Sequence, residues 1–229
     1  LKQTEKLAHM GQLSAGIAHE LNNPLGVVIM YSNLLLDETE ETSPLREDLQ
    51  MIVEQAERCK VIVGGLLNFA RKNQVSCRET DINELVRISV ASIVTSKSVK
   101  IDIIKNKSDL YAEVDKEQMI QVISNIIRNG IDAMPGGGKI TITNDETPSE
   151  VILKIKDSGT GINESDLHKV FEPFFTTKGI GKGTGLGLAT AYGVIKMHNG
   201  RIDIRSNADP SKGPTGTEFI IQLPKQRKN

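Results

Sequence analysis

Residues 179–188 read GIGKGTGLGL, with a glycine at every second position. An apolar helical pattern follows at 185–198, and the pair Asn199-Gly200 ends it. A glycine-rich loop that leads into a helix is typical of phosphate sites, because the N–H groups and dipole of the helix start favour anions. A P-loop is excluded because no Gly-Lys-Ser/Thr stands at the required spacing. A dinucleotide-binding motif is excluded because a strand should run directly into the glycines.

The sequence on both sides of this loop alternates between strand and helix patterns. Helical patterns precede it at 81–95, where Asp81 is the predicted N-cap, and at 116–134. Alternating apolar side chains, typical of half-buried strands, occur at 99–103, 110–114, 139–143, 151–156, 201–205 and 217–223. This mixture predicts an α/β sandwich with helices on one face of a sheet.

A different pattern occupies the first 72 residues, which are predicted to form two long helices, the first with a seven-residue apolar repeat. The second helix of this region follows an acidic stretch at 37–44. Two helices joined by a short turn make an antiparallel hairpin, which has too little core alone. We therefore predict that two copies pair into a dimeric four-helix bundle. The repeat places Leu7, Ser14, Leu21, Val28 and Leu35 at a, and Met10, Ile17 and Tyr31 at d.

These patterns predict an α+β chain with three parts. A dimerising helical hairpin at residues 1–73 precedes a linker at 74–80, where periodicity is lost, and the α/β sandwich occupies 81–229. Basic residues number 28 and acidic residues 29, for a net charge of −1, and aromatic residues are 3% with no Trp. This balance argues against a nucleic-acid-binding protein, which needs a basic surface and often a stacking platform.

Cysteine content and hydropathy predict the compartment. Cys59 and Cys77 are the only cysteines, which indicates neither a disulfide framework nor a zinc site and favours a reducing compartment. No apolar run approaches the length of a membrane span. We therefore expect a cytoplasmic location for this portion. Because the sequence does not begin with Met, we expect a longer protein whose sensor region, and any membrane anchor, lies upstream.

The run HELNNPL at residues 19–25 contains a candidate nucleophile. His19 falls at position f of the repeat, facing away from the seam, and Asn23 shares its face. Glu20 could accept a proton from one ring nitrogen, which would make the other a better nucleophile. An exposed, merely solvated histidine is the alternative. A zinc-protease helix is excluded because it needs a second histidine where Asn23 stands.

Two later motifs supply groups suited to a nucleotide and its metal. Asn125 and Asn129 lie four apart on one helix face, and their amide oxygens could bind a Mg²⁺ that bridges phosphates. Two surface asparagines are the alternative. Asp157 ends a strand and could accept a hydrogen bond from an adenine amino group, while Gly159 and Gly161 let the backbone approach a ligand.

The segment between these motifs and the helix at 185–198 is interpreted as a lid. Residues 171–178 read FEPFFTTK, and aromatic side chains such as Phe174 could pack as its hinge. Lys178 and Lys182 could add positive charge near the γ-phosphate.

In this order and spacing the motifs resemble those of sensor histidine kinases. Residues 19–25 match the phospho-acceptor pattern His-Glu-Leu-x-Asn/Thr-Pro-Leu at every defined place. The later motifs resemble the asparagine, first glycine, phenylalanine and second glycine boxes of the ATPase domain that these kinases share with gyrase, heat-shock-90 chaperones and MutL. The Asn-Asn-Pro motif and residues 171–178 resemble the nitrogen-regulation-like subgroup.

The resemblance implies an ATP- and Mg²⁺-dependent autokinase. It implies that His19 takes the γ-phosphoryl group with Glu20 as base, and that Asn23 orients a water in the reverse, dephosphorylating reaction. It also implies metal binding by Asn125 and Asn129. The implied nucleotide site comprises these two residues with Asp132, Asp157, Gly159, Gly161, Phe174, Thr177, Lys178, Lys182, Gly183, Thr184, Gly185, Leu186, Gly187, Leu188 and Thr217.

The implied partners are a second copy of the chain, through the hairpin, and a response-regulator receiver domain whose aspartate accepts the phosphoryl group. Whether a subunit phosphorylates itself or its mate depends on the handedness of the turn at 37–45, which the residues leave open. Two alternatives remain: a chaperone- or gyrase-like ATPase without a phosphoenzyme, and a degenerate kinase that acts as a dimeric scaffold. The sequence departs from the family pattern at Gly130, where Ala is commoner, and at Asp132, where many members carry Lys or Tyr.

Overall fold

A computed structural model describes residues 21–71, 75–93, 98–178 and 183–226, with the backbone alone at 58, 61–62 and 64–71. The chain divides into two compact units. The helical unit contains the N-terminal part up to residue 74 and the segment Thr176–Leu186, and the α/β unit contains Val75–Phe175 and Gly187–Asn229. Over the described residues, no helix combines the length and apolar character needed to cross a membrane.

Two helices build the described part of the helical unit. Helix α1 covers 21–38 and helix α2 covers Leu45–Arg71, joined by a turn at 39–44. The Arg46 guanidinium donates to the carbonyl oxygens of Leu36 and Thr39 at 2.9 and 2.8 Å, so the start of α2 lies beside the end of α1. The predicted hairpin is present over these residues.

The side of α1 that is buried within the single chain lies one position away from the predicted heptad seam. Ile29 and Ser32 are the buried side chains, and Leu25 and Leu36 are half-buried on the same stripe. The predicted a and d residues on α1 are exposed instead, Leu35 to 51% and Tyr31 to 59%. Two apolar stripes share this helix, and the stronger sequence repeat is the one left exposed in a single chain. Leu7, Met10 and Ile17 lie outside the described residues.

The α/β unit contains seven strands and three α-helices among its described residues. The predicted helices appear as α3 (Ile82–Ala91), α4 (Lys116–Asp132) and α5 (Gly187–Met197). The strands are β1 (Arg78–Asp81), β2 (Val99–Lys105), β3 (Tyr111–Val114), β4 (Gly138–Glu146), β5 (Glu150–Asp157), β6 (Arg201–Asn207) and β7 (Gly216–Pro224). Strand β1 was not predicted, because it begins inside the stretch 74–80 interpreted as a linker.

The main sheet has five strands in the order β2-β4-β5-β7-β6. Strands β2 and β4 are parallel, and the other neighbours are antiparallel. Alternate side chains of β4, β5 and β7 are buried together with apolar side chains of α3, α4 and α5 in one core. The predicted sandwich with helices on one face of the sheet is confirmed. Strands β1 and β3 form a separate antiparallel pair.

Carboxylate caps start two of the three helices. The predicted N-cap Asp81 accepts from the backbone N–H groups of Asn83 and Glu84 at the start of α3. Asp115 caps α4 by accepting from Gln118 N–H at 3.1 Å. Side-chain oxygens at these positions satisfy N–H groups that lack partners within the helix.

His198 is a buried structural residue. It is 1% exposed, just beyond the end of α5. Its Nδ1–H donates to Val194 O at 2.8 Å, and its Nε2 accepts from Asp115 N–H at 2.9 Å. The ring therefore ties the end of α5 to the start of α4.

Replacing His198 with Leu is expected to destabilise the α/β unit by about 1–3 kcal/mol, because the Asp115 N–H would be left buried without an acceptor. Denaturant unfolding monitored by circular dichroism measures this loss. His168→Ala is the matched control, since His168 is exposed, and should change little. Equal stability of the two variants would contradict a structural role for the His198 ring.

Candidate functional site: a polar row at the end of the sheet

Three polar residues on neighbouring strands, Asp157 of β5, Thr217 of β7 and Ser206 of β6, form a polar row on the helix-covered face of the main sheet. Asp157 pairs with Ile140 of β4, and Ser206 of β6 pairs with Thr217 of β7. Thr217 lies one position beyond the last pair of β5 and β7, so it stands beside Asp157. A buried carboxylate and two hydroxyl groups are therefore aligned across three strands at one end of the sheet.

Backbone N–H groups bind one of the two oxygens of the Asp157 carboxylate. Its Oδ1 accepts from Gly159 N–H at 2.9 Å and from Thr217 N–H at 3.1 Å. Asp157 as a whole is only 6% exposed. Burial raises the pKa of Asp157 above its ordinary value, and the two N–H groups counter part of this rise. With Oδ1 occupied, Oδ2 is the oxygen suited to accept from a ligand.

Gly130 makes room for this carboxylate. A Cβ at Gly130 on α4 would lie 3.2 Å from Asp157 Cβ, 3.3 Å from Ile140 Cδ1 and 3.6 Å from Asp157 Oδ2. Alanine is commoner at this position in the family that the sequence resembles. An alanine here would require the Asp157 side chain to shift by a few tenths of an ångström. The departure noted in the sequence therefore sits directly against the candidate adenine-binding residue.

The loop after β5 contacts the end of α4 and the end of β6. Thr160 N–H donates to Ala133 O at the end of α4, at 3.1 Å. Gly161 has φ +73°, and a Cβ there would lie 2.1 Å from Asn207 O. Only glycine allows this approach to the backbone at the end of β6. The predicted glycines thus hold the loop beside the polar row.

Asn125 and Asn129 both lie half-exposed on α4, four residues apart. The Asn125 amide donates through Nδ2 to Gly187 O, the first residue of α5, at 3.3 Å. This bond orients the amide so that its oxygen is the atom suited to a metal. Asp132 is exposed in the last turn of the same helix. The described residues contain no cluster of three or more His, Cys, Asp or Glu side chains suited to a metal.

The chain that leads to the lid forms a series of turns up to Phe175, and its Phe171 packs on α5. Hydrogen bonds from N–H to the carbonyl three residues earlier recur from Asp166 to Phe175. Phe171 lies against Tyr192 with ring centroids 5.2 Å apart, and Lys196 Nζ lies 5.4 Å from the Tyr192 centroid. Phe174 is exposed and has φ +68°. An exposed aromatic in a left-handed conformation marks a strained turn immediately before the predicted lid.

The described ends of the lid segment lie close to each other. A Cβ on Gly183 would be 3.0 Å from Thr176 Oγ1 and 3.2 Å from Lys178 Cδ. Thr176 Oγ1 accepts from Lys178 N–H at 3.2 Å, and Thr184 Oγ1 accepts from Leu186 N–H at 3.4 Å. Local hydroxyl-to-backbone bonds therefore stabilise both ends of the loop.

The other predicted residues fall in several places. Thr177 is exposed, Gly185 has φ +64°, and Gly187 and Leu188 begin α5. Asn23 is exposed on α1. His19, Glu20 and Lys182 lie outside the described residues.

Sequence reasoning missed Ser206. It is half-buried, and its hydroxyl contacts Ile162 N, Gly216 O and Thr217 Oγ1 at 2.8, 2.9 and 2.9 Å. The strand pattern at 201–205 stopped one residue short of it, and its pairing with Thr217 depends on a register that no local signal shows.

Family models and known relatives agree with this architecture. Residues 9–75 match the model described as His Kinase A (phospho-acceptor) domain, and residues 114–227 match that of the histidine kinase-, DNA gyrase B- and HSP90-like ATPase. The sensor kinase CckA of Brucella abortus is 34% identical to all of this chain, which corresponds to 26% of that protein. Sporulation kinase C of Bacillus subtilis is 31% identical over 97% of this chain and 51% of its own. The chain thus spans about a quarter to half the length of these relatives.

Solved structures give the same result. The catalytic domain of the histidine kinase ThkA superposes with a TM-score of 0.58 and 31% identity, covering 66% of this chain and 96% of that domain. ThkA in complex with the response regulator protein TrrA matches with a TM-score of 0.69 and 26% identity, over 98% of this chain and 64% of that one. The two matched models stand in the order that the sequence motifs predicted. The chain belongs to the sensor histidine kinase family and comprises the phospho-acceptor and ATPase regions of its catalytic core.

Proposed function

We propose that this chain is an ATP-dependent protein histidine autokinase that phosphorylates itself on His19. The observation that carries the proposal is the buried Asp157 carboxylate, fixed by two N–H groups and offering one oxygen, in a chain that also contains an intact acceptor motif at 19–25. We assign phosphotransfer to residues 1–73 and ATP binding to 81–229. Residues 74–80 join them, although 78–80 also belong to β1.

The adenine ring is assigned to the polar row. Asp157 Oδ2 is suited to accept from the amino group, and Gly159 and Gly161 bring the backbone close to the base. The triphosphate is assigned to the lid and to the start of α5, because lysine ammonium groups and a helix start favour phosphate. The lid residues are Thr177, Lys178, Lys182, Gly183 and Thr184, and those leading into and starting α5 are Gly185, Leu186, Gly187 and Leu188. Phe174 is the proposed hinge.

Mg²⁺ fits the two asparagines of α4. The amide oxygens of Asn125 and Asn129 are hard ligands, and Mg²⁺ bound to phosphates needs only one or two protein ligands beside water. The Nδ2 bond of Asn125 to Gly187 O leaves its oxygen for this role. When bound, the ion would neutralise charge that develops on the phosphate oxygens. Asp132 is the one member of the proposed site whose carboxylate would repel phosphate.

Phosphotransfer requires His19 to attack the γ-phosphorus in line. A bond forms between a ring nitrogen and phosphorus as the bond to the leaving ADP oxygen breaks, and Glu20 accepts the proton of the other ring nitrogen. We further propose that the phosphoryl group passes to an aspartate of a response-regulator partner, as the solved ThkA–TrrA complex suggests for a related kinase. Asn23 is proposed to orient a water in the reverse reaction.

Incubation of the purified chain with γ-labelled ATP and Mg²⁺ tests this function. We expect label on the protein that is lost in acid and stable in alkali, as a phosphohistidine requires. Hydrolysis of ATP without protein label would instead support the chaperone- or gyrase-like ATPase. Binding of neither ATP nor ADP would support the scaffold.

The exposed stripe of α1 is proposed as the dimer interface. It carries Leu21, Val28, Tyr31 and Leu35, spaced so that they lie along one side of the helix. Burying such a stripe against its symmetry mate is the usual way for a two-helix hairpin to complete a core. The same stripe is the predicted heptad seam, so two observations support this assignment.

Replacing Leu35 with Glu is expected to weaken the dimer by about 100-fold or more, since each of two symmetric sites loses some 1.5–3 kcal/mol of apolar burial. Sedimentation equilibrium over a range of protein concentrations measures the dissociation constant. Asn33→Glu is the matched control, because Asn33 is exposed and lies at position f of the repeat. If both variants remain dimers with the parent's affinity, the stripe is not the interface.

A further inference from the structure

We propose that Ser206 is a positioning residue that fixes the hydrogen-bond direction of Thr217 and thereby makes the base pocket an acceptor-only site. The inference rests on the proposed function, since it concerns the pocket assigned to adenine. It adds a residue that neither the motifs nor the assigned roles include.

The three contacts of the Ser206 hydroxyl determine its own orientation. Ile162 N–H can only donate to it, at 2.8 Å, and Gly216 O can only accept from it, at 2.9 Å. A serine hydroxyl has one hydrogen and two lone pairs. Its hydrogen therefore points to Gly216 O, and one lone pair receives Ile162 N–H.

The remaining contact then fixes Thr217. Thr217 Oγ1 lies 2.9 Å from Ser206 Oγ. Because the Ser206 hydrogen is already committed to Gly216 O, the hydrogen in this contact comes from Thr217. The Thr217 hydroxyl thus donates to Ser206 and retains only lone pairs for any other partner.

Thr217 and Asp157 therefore offer the same kind of group. Thr217 is 4% exposed and donates its N–H to Asp157 Oδ1 at 3.1 Å. The row presents Asp157 Oδ2 and the Thr217 lone pairs, both acceptors. Two acceptors side by side favour a base edge that carries an amino group with two N–H donors. A site built to bond such a group discriminates against a base that lacks it.

Removing the Ser206 hydroxyl would release this constraint. In Ser206→Ala the Thr217 O–H loses its acceptor and is free to turn its hydrogen toward the pocket. Asp157 keeps both of its N–H donors, because neither comes from Ser206. The change should therefore affect the recognition of the amino group more than the binding of the rest of the nucleotide.

Calorimetric titration of the full chain with ADP and with purine riboside 5′-diphosphate, which lacks the 6-amino group, tests the proposal. The ratio of the two dissociation constants measures the contribution of the amino group. In Ser206→Ala we expect this ratio to fall about threefold to tenfold, the range of one hydrogen bond. Ser206→Thr, which keeps a hydroxyl, should retain the parent ratio. Ser211→Ala is the control, because its hydroxyl binds only Asp209 in the neighbouring loop.

Thr217→Val supplies an independent test that leaves the Ile162 and Gly216 contacts intact. It should lower the ratio by a similar factor, and adding Ser206→Ala to it should lower the ratio no further. An unchanged ratio in Ser206→Ala or in Thr217→Val, even with a lower melting temperature, would overturn the proposal while leaving ATP binding in place. If the parent binds neither diphosphate, the proposed function falls with it.

Discussion

Asp157→Asn is expected to weaken ADP binding by at least about 30-fold, or some 2 kcal/mol, the loss associated with one hydrogen bond to a charged group. The variant amide can still accept from Gly159 and Thr217 through its oxygen, so the loop after β5 should keep its fold. Its other atom becomes an N–H donor and would face the donor of the adenine amino group. Calorimetric titration with ADP measures the loss.

The same substitution should change how stability depends on pH. Burial raises the pKa of Asp157 above 3.8, so the fold favours the protonated carboxyl. The resulting stabilisation is present below pH 3.8 and is lost as pH rises through the higher folded value. Relative to the parent, Asp157→Asn should therefore gain stability between about pH 4 and neutrality. Thermal melts across this range measure the difference.

Asp209→Asn is the matched control for both results. Asp209 also accepts from a backbone N–H, that of Ser211, but hydrogen bonds lower its pKa instead of raising it. It should leave ADP affinity unchanged, and its stability should fall relative to the parent as pH rises. If Asp157→Asn binds ADP as tightly as the parent does, the carboxylate does not contribute to the base site.

Gly161→Ala is expected to destabilise the α/β unit by about 3 kcal/mol or more and to abolish ADP binding. Two costs combine: a left-handed conformation forced on a residue with a Cβ, and a Cβ 2.1 Å from Asn207 O. The obstructing atoms belong to the backbone and cannot rotate away. The loop that carries Gly159 must move, and the Ile162 N–H bond to Ser206 would be lost with it.

Alanine variants of two other glycines allow the cost of the left-handed conformation to be measured apart from the cost of the steric clash. Gly213 has φ +120° but open space around its Cβ position, and Gly136 has open space without a positive φ. Unfolding free energies should fall in the order Gly136→Ala, Gly213→Ala, Gly161→Ala, and Gly136→Ala should bind ADP like the parent. A Gly161→Ala variant as stable as Gly136→Ala would show that the loop is not held against Asn207.

The sequence predicted those features that depend on local patterns. The helices α3, α4 and α5 and six of the seven strands of the α/β unit follow from apolar periodicity and turn residues. The Asp81 cap was predictable because the capping bond is made within one helical turn. The order of the motifs then indicated the family, which the matched models confirm.

Features that depend on distant contacts were missed. His198 gave no sequence signal because its partner Asp115 lies 83 residues away. Strand β1 was missed since its stability comes from pairing with β3, whose residues lie 30 to 36 positions later. Ser206 belongs to the site only through the register of β6 with β7. Helix α1 carries two apolar stripes, and periodicity alone does not say which of them is buried within a single chain.

The most direct test of the account is a side-by-side labelling of the parent, His19→Gln and Asp157→Asn with γ-labelled ATP and Mg²⁺. At an ATP concentration near the parent's dissociation constant, we predict acid-labile label on the parent, none on His19→Gln and strongly reduced label on Asp157→Asn. ADP titration should separate the two failures, since His19→Gln should bind ADP like the parent and Asp157→Asn should not. Label on His19→Gln equal to that on the parent would contradict the account, because the acceptor would then lie elsewhere.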